Sequence, residues 1–339
     1  MNDRYSRQIL FPGIGADGQA SLQTKHALIL GAGALGSAAA ETLVRAGVGE
    51  LTIIDRDYVE WSNLPRQQLY GEKEAEAKMP KAVAAKERLQ AIRSDAVIHS
   101  LVMDATAEKL EDIAPGLDIL IDGSDNFDIR FILNDLSQKY RIPWVFGACA
   151  GSYGMSFTIV PGETPCLQCI LPAIPSFSVT CETDGVIAPA VQMTSAYQTA
   201  EALKILSGRT EAVQTKLTLF DVWKNQHHAI QVGKTKKDTC PSCGTSPAYA
   251  HLAGADDTKM AVLCGRDTVQ IRPETSRSYD FTYLETKLSR HGRVQKNPYL
   301  LSCALPDYRL VVFRDGRVLV HGTKKVEQAK AIYEKYFLS

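Results

Sequence analysis

The sequence predicts an α/β protein: a Rossmann-like, doubly wound and mostly parallel sheet within residues 1–245, followed by a small α+β unit at 259–339. Three observations carry this. Short β-branched runs alternate with longer amphipathic segments from about residue 26 to residue 230. The first run closes on "GAGALG", residues 31–36, the turn that joins a strand to a helix in dinucleotide folds. Beyond a polar stretch, 246–258, the alternation gives way to strand, helix, hairpin and helix.

In order, "HALIL" predicts the first strand and "LGSAAAETLVRAG" the helix after the glycine turn. "LTIID", "KMPKAVAAKERLQAI", "AVIHSLV", "DILID" and "NFDIRFILNDLSQKY" continue as strand, helix, strand, strand and helix, an order that builds parallel pairing with helices on both faces. "PWVFGACAGSYGMSFTIVPG" predicts a strand pair broken by glycines. A Pro-rich crossing segment, "CLQCILPAIPSFSVTCETDGVIAP", leads to the helix "AVQMTSAYQTAEALKILSG", stopped by Gly208, and "KLTLFDVW" is a further strand. In the tail, "AVLCGRDTVQI" predicts one strand and "YDFTYLETKLSRHG" a helix. "YRLVVFRDGRVLVHG" predicts a hairpin turning at Asp315-Gly316. The closing helix, "KKVEQAKAIYEKYF", is expected to be capped by Thr323.

Composition narrows the function. With 339 residues, 45% of them apolar, the chain can bury a sizeable core. Thirty-eight Lys and Arg balance 38 Asp and Glu, so no global field recruits nucleic acid or an anionic membrane. No apolar h-region follows "MNDRYSRQIL", and the most apolar stretch stops at Glu41, so the expected location is the cytoplasm. Eight cysteines in a reducing compartment point to metal or redox chemistry rather than disulfides.

The glycine loop opens a helix, where backbone N–H groups and the helix dipole favour a phosphate. Asp55, ending the second strand, stands at the spacing of a carboxylate on a ribose hydroxyl. A hydride-transfer site wants an apolar slot, yet here Arg66, Lys81 and the Asp122/Asp125 pair fall near the C-terminal ends of parallel strands, which face one crevice. Cations there suit a triphosphate; a carboxylate among them suits a bridging magnesium. Asn63 is equally readable as a turn cap, and Arg130 as a helix-surface charge.

"RYSRQ" at 4–8, "GAGALG" at 31–36, "DRD" at 55–57, "SNLPRQ" at 62–67, Lys81, "DGSDN" at 122–126 and two Cys pairs together resemble the ThiF/MoeB family, adenylyltransferases of ubiquitin-like sulfur carriers akin to ubiquitin-activating enzymes. Pro65 fills that family's variable position, and Gly123-Ser124 replace its commoner small and Thr residues. The resemblance covers residues 1 to about 245. It implies attack of a carrier's C-terminal glycine carboxylate on the α-phosphorus of ATP, giving an acyl-adenylate and pyrophosphate. Both reactants are anions, so the protein's task is charge neutralisation and positioning.

The implied roles are Asp55 on ribose, with Asp57 beside it; Gly31, Gly33, Ala34, Leu35 and Gly36 on phosphate; Arg66 and Lys81 on the polyphosphate; and Asp125 on Mg2+. Asn63, Asp122, Asn126 and Arg130 complete the nucleotide set. Arg7, on an N-terminal arm at 1–25, would reach the triphosphate of a neighbouring subunit in a homodimer. The carrier is expected to be ThiS-like, for thiamine thiazole synthesis; a MoaD-like carrier for molybdopterin is the alternative, and a sulfur donor such as a cysteine desulfurase is the further partner. An NAD-dependent oxidoreductase, a nucleotide-binding module without turnover and an RNA-modifying dehydratase of the same superfamily are the rivals.

Cys166-x-x-Cys169 and Cys240-x-x-Cys243 are spaced so that each pair's thiolates meet one tetrahedral ion, a structural zinc tying distant segments together. Cys181, in "VTCETDGVIAP", matches a family cysteine linked to the carrier during sulfur handling, although Glu182 and Asp184 disfavour its thiolate. Cys149, Cys264 and Cys303 are expected in the core. The tail's role does not follow from its residues.

Overall fold

The computed structural model describes residues 3–171, 185–253, 260–263, 267–272 and 279–338. Cys181 and Cys264 lie outside them. The chain divides into two compact units, Met1–Ala255 and Asp256–Ser339.

The first unit begins with α1 (Ser6–Ile9) and α2 (Gly15–Leu22), then β1 (His26–Leu30), α3 (Ala34–Ala46) and β2 (Glu50–Asp55). Next come α4 (Glu72–Glu76), α5 (Lys81–Ile92), β3 (Val97–Val102), α6 (Ala107–Ile113), β4 (Ile119–Asp122) and α7 (Phe127–Tyr140). β5 (Trp144–Ala150), β6 (Tyr153–Ile159), α8 (Leu167–Ile170), α9 (Ala188–Leu206), β7 (Lys216–Asp221), β8 (Gln226–Gln231) and α10 (Ala250–Ala253) complete it. The sheet runs β3-β2-β1-β4-β5-β6-β7-β8. Pairing is parallel from β3 to β5 and antiparallel from β5 to β8.

Apolar runs such as Leu28–Leu30 are buried on both faces because the sheet lies between two helical layers. One core joins α3, α5 and α9 to the sheet through Leu43, Val44, Ala85 and Ala202; the other joins α6 and α7 through Leu110, Leu133 and Leu136. The strand order reverses between β1 and β4, and the crevice of such a sheet opens there, beyond the strands' C-terminal ends.

Several details depart from expectation. Along the expected N-terminal arm, Tyr5, Ile14 and Leu22 are buried and Gln8 Nε2 donates to the Ala46 carbonyl at 2.7 Å, while Arg7, Leu10 and Phe11 stay exposed. β8 is an additional edge strand, polar in sequence and exposed at all six positions. Part of the stretch expected as a linker folds as α10, where Leu252 is buried and His251 stacks on Phe131. No helix among the described residues is long and apolar enough to cross a membrane.

The second unit is a six-stranded antiparallel sheet in the order β11-β12-β13-β14-β10-β9. Its strands are β9 (Met260–Leu263), β10 (Thr268–Ile271), β11 (Arg293–Lys296), β12 (Leu300–Ala304), β13 (Arg309–Phe313) and β14 (Val318–His321). The run at 261–271 is thus two antiparallel strands rather than one. α11 (Phe281–Leu288) and α12 (Val326–Tyr333) pack Leu284, Leu288, Ala329 and Ile332 on Val269, Leu301, Cys303 and Val320. Asp280 caps α11, accepting from the Thr282 amide. Thr323 stands two residues short of the α12 cap; its hydroxyl accepts from Lys325 N.

Candidate nucleotide site and cysteine cluster

The glycine turn is built by three close backbone approaches. Gly31 lies at φ 91°, left-handed backbone that favours glycine, and its N–H donates to the Ile54 carbonyl at 2.8 Å. A Cβ on Gly36 would sit 1.7 Å from the Gly31 oxygen, and one on Gly123 would sit 2.4 Å from that same oxygen. The missing side chain of Gly123 therefore lets the end of β4 pack closely on the loop. Gly33 caps α3, leaving the first amides of that helix, from Ala34 to Gly36, directed at the crevice.

Asp55 anchors the loop from β2. Its carboxylate accepts from Ala32 N and from Asp57 N, both at 2.6 Å. Burial pushes its carboxyl above the ordinary value, against the opposing pull of Lys81. Lys81 is the first residue of α5; its ammonium lies 3.4 Å from Asp57 Oδ2 and is almost wholly enclosed. The Lys81 amide donates to the Asp57 carbonyl at 2.9 Å, which holds the start of α5 against the end of β2.

β4 separates the two expected carboxylates. Asp122 has no exposure: Oδ2 accepts from Arg130 Nε at 2.8 Å, and Oδ1 accepts from the Ser124 amide and hydroxyl at 2.9 and 2.6 Å. Arg130, 5% exposed, also donates to the Ser124 and Gly147 carbonyls and lies over the Phe127 and Phe146 rings. Arg130 is thus no helix-surface charge: its guanidinium is engaged by Asp122 and two backbone carbonyls, and Asp122 holds the loop's shape from beneath. Asp125 is exposed at the loop's tip. Asn126 caps α7, its side chain accepting from Asp128 N.

Asn63 is buried and serves as a turn cap, its Oδ1 accepting from Glu60 N at 3.0 Å. Arg66 is half-buried and donates to the Ser62 carbonyl at 2.7 Å. Arg7 is exposed on α1. Gln67 closes the "SNLPRQ" motif but was given no role, and Tyr70 was missed by sequence reasoning, because a lone Tyr after a loop carries no spacing signal. The Tyr70 hydroxyl donates to the Ala32 carbonyl at 2.7 Å, and Gln67 lies buried beside Gly33.

The four knuckle cysteines converge. Cys166 caps α8, whose Leu167 amide donates to Asn134 Oδ1; Cys240 and Cys243 lie on a turn closed by the Gly244 amide on the Cys240 carbonyl. All four sulfurs lie within 4.8 Å of one another, and Cys166–Cys240 and Cys169–Cys243 are each 3.6 Å apart. Sulfurs about 3.8 Å apart are what a tetrahedral ion with 2.3 Å bonds requires, so the group fits zinc. The contact between Cys166 and Cys243 lowers the Cys243 thiol and raises that of Cys166, the opposed pull of thiols crowded around one point. Cys303 is buried, and Cys149 is half-buried on β5.

The ThiF family profile matches residues 5–242. The chain belongs to the ThiF family. It is 50% identical over 337 residues to the sulfur carrier protein ThiS adenylyltransferase of Bacillus subtilis, covering 99% of each chain. It is 34% identical to the Escherichia coli protein of the same name, over 73% of this chain and 99% of the other. Identity to the adenylyltransferase and sulfurtransferase MOCS3 of Dictyostelium discoideum is 32%, over 74% of this chain and 59% of that protein. Among solved structures, E. coli MccB with ATP superposes at TM-score 0.62 and 23% identity, over 72% of this chain and 75% of that one, and shares the fold. These three relatives are named adenylyltransferases, in line with the expected reaction and against the oxidoreductase rival.

Proposed function

We propose that this chain is the ATP-dependent adenylyltransferase of a ThiS-like, ubiquitin-like sulfur carrier, serving thiamine thiazole synthesis. The observation that carries this reading is the 50% identity to a ThiS adenylyltransferase over 99% of both chains, which extends through the second unit. A MoaD-like carrier is the alternative, in keeping with the MOCS3 relatives.

In the reaction, a carboxylate oxygen of the carrier's C-terminal glycine attacks the α-phosphorus of ATP. The new O–P bond forms as the bond from that phosphorus to the bridging oxygen breaks, and pyrophosphate leaves. The α3 amides receive phosphate oxygens, with the loop held by Gly31, Gly36 and Gly123. Asp55 accepts from the ribose hydroxyls, while Lys81 and Arg66 neutralise the departing polyphosphate. A Mg2+ held by Asp125 would add charge neutralisation between the phosphates.

Zinc in the cysteine cluster would tie the α8 region to the turn at 240–243, with no open position for catalysis. In a two-fold homodimer Arg7 would complete the partner's site. Cys181 would serve sulfur transfer after adenylation, with a cysteine desulfurase as the donor's class, in the cytoplasm. Carrier-dependent exchange of pyrophosphate into ATP, run with a ThiS-like and a MoaD-like carrier side by side, tests the reading. Exchange with the former predominating is expected; exchange with neither overturns it.

A further inference from the structure

Ala32 is held at both ends of its peptide framework. Its N–H donates to Asp55 at 2.6 Å, and its carbonyl accepts from the buried Tyr70 hydroxyl at 2.7 Å. The same hydroxyl oxygen lies 3.2 Å from the Lys81 carbonyl, in the first turn of α5. Tyr70 therefore sits where the glycine loop, the segment ending in Gln67 and the helix bearing Lys81 meet. Gln67 flanks the loop from the same turn: a Cβ on Gly33 would lie 3.9 Å from its Nε2.

We propose that Tyr70 is a positioning residue for adenylyl transfer. Its hydroxyl sets the direction of the Ala32 carbonyl, hence of the peptide that follows, and keeps the phosphate-binding amides in register with Lys81. An O–H that orients a loop carbonyl acts without touching substrate. Removing it leaves that carbonyl buried and unpaired, a cost the loop relieves by turning. Burial raises the Tyr70 phenol well above its usual range, so it stays a donor throughout the working pH range. The inference rests on the adenylyltransferase reading for its assay, though not for its geometry.

The test is Tyr70→Phe, which keeps the ring and deletes one oxygen. Pyrophosphate exchange is followed against ATP and against the ThiS-like carrier, with direct ATP binding and thermal melting measured in parallel. The KM for ATP should rise roughly five- to thirtyfold, matching one lost hydrogen bond with its partner left unpaired. The carrier KM should stay within about twofold and melting within a few degrees. A purely structural role would lower the melting temperature and active fraction with the KM for ATP unchanged, and that result overturns the proposal. So does a variant indistinguishable from the parent. Should the parent enzyme show no exchange with any carrier, the functional reading fails; weaker ATP binding by Tyr70→Phe would still support the clamp, and equal binding would reject it.

Discussion

Replacing Arg130 by Met separates a structural cation from a phosphate-binding one. In this structure the guanidinium is 5% exposed, its Nε lies 2.8 Å from the fully buried Asp122, and its Nη2 bonds two carbonyls at 2.7 and 3.0 Å. Met fills much of the space between the Phe127 and Phe146 rings but leaves Asp122 with only the two donors of Ser124. Stranding a buried carboxylate costs about 3–5 kcal/mol. For a unit of this size each kcal/mol lowers melting by roughly 2–4 °C, so a fall of about 6–20 °C is expected. Urea titration and thermal melting measure it. The double variant Asp122→Leu with Arg130→Met should recover a good part of the loss, because it removes the stranded charge. Unchanged melting with abolished pyrophosphate exchange would refute the reasoning and return Arg130 to the phosphates.

The remaining predictions concern metal and nucleotide. Elemental analysis should find one zinc per chain, and Cys166→Ser should lose it with much of the stability, since a structural site contributes on the order of 10 kcal/mol to folding; metal-free protein melting normally would exclude the site. Asp125, exposed at the β4 tip, contributes to no packing, so Asp125→Ala should abolish exchange while melting and zinc stay as they are; near-normal exchange would refute its assignment to Mg2+. Asp55 has a raised carboxyl, so its stabilising contribution is present at low pH and lost as the pH climbs through the raised value. The ionised carboxylate is the stronger acceptor for a ribose hydroxyl, so ATP affinity should rise as the pH climbs through that raised value; an affinity indifferent to pH across the acid range would contradict this.

The alternation of apolar runs with amphipathic segments determined the parallel half of the sheet and its helices, because strands buried on both faces must be largely apolar, as β1, β2 and β4 are. Glycine spacing located the loop, and Cys-x-x-Cys spacing located four thiols that the structure brings together. Edge strand β8 stayed illegible because the polar run "QHHAIQ", exposed throughout, has no buried face to impose a pattern.

Within the site, sequence named the charged residues but not which of them face the crevice. Asp122 and Asp125 are three positions apart and chemically alike, yet one is sealed under Arg130 and the other stands in solvent. That division depends on which side chain the turn after β4 folds inward against β5 and α7, a tertiary contact with no local signature. Tyr70 belongs to the same class: its hydroxyl acquires a role only when Ala32, 38 residues away, is brought within 2.7 Å of it. Local patterns specify elements because periodicity is set by neighbours along the chain. The pairing of buried polar groups is set by neighbours across it, and only the folded chain decides those.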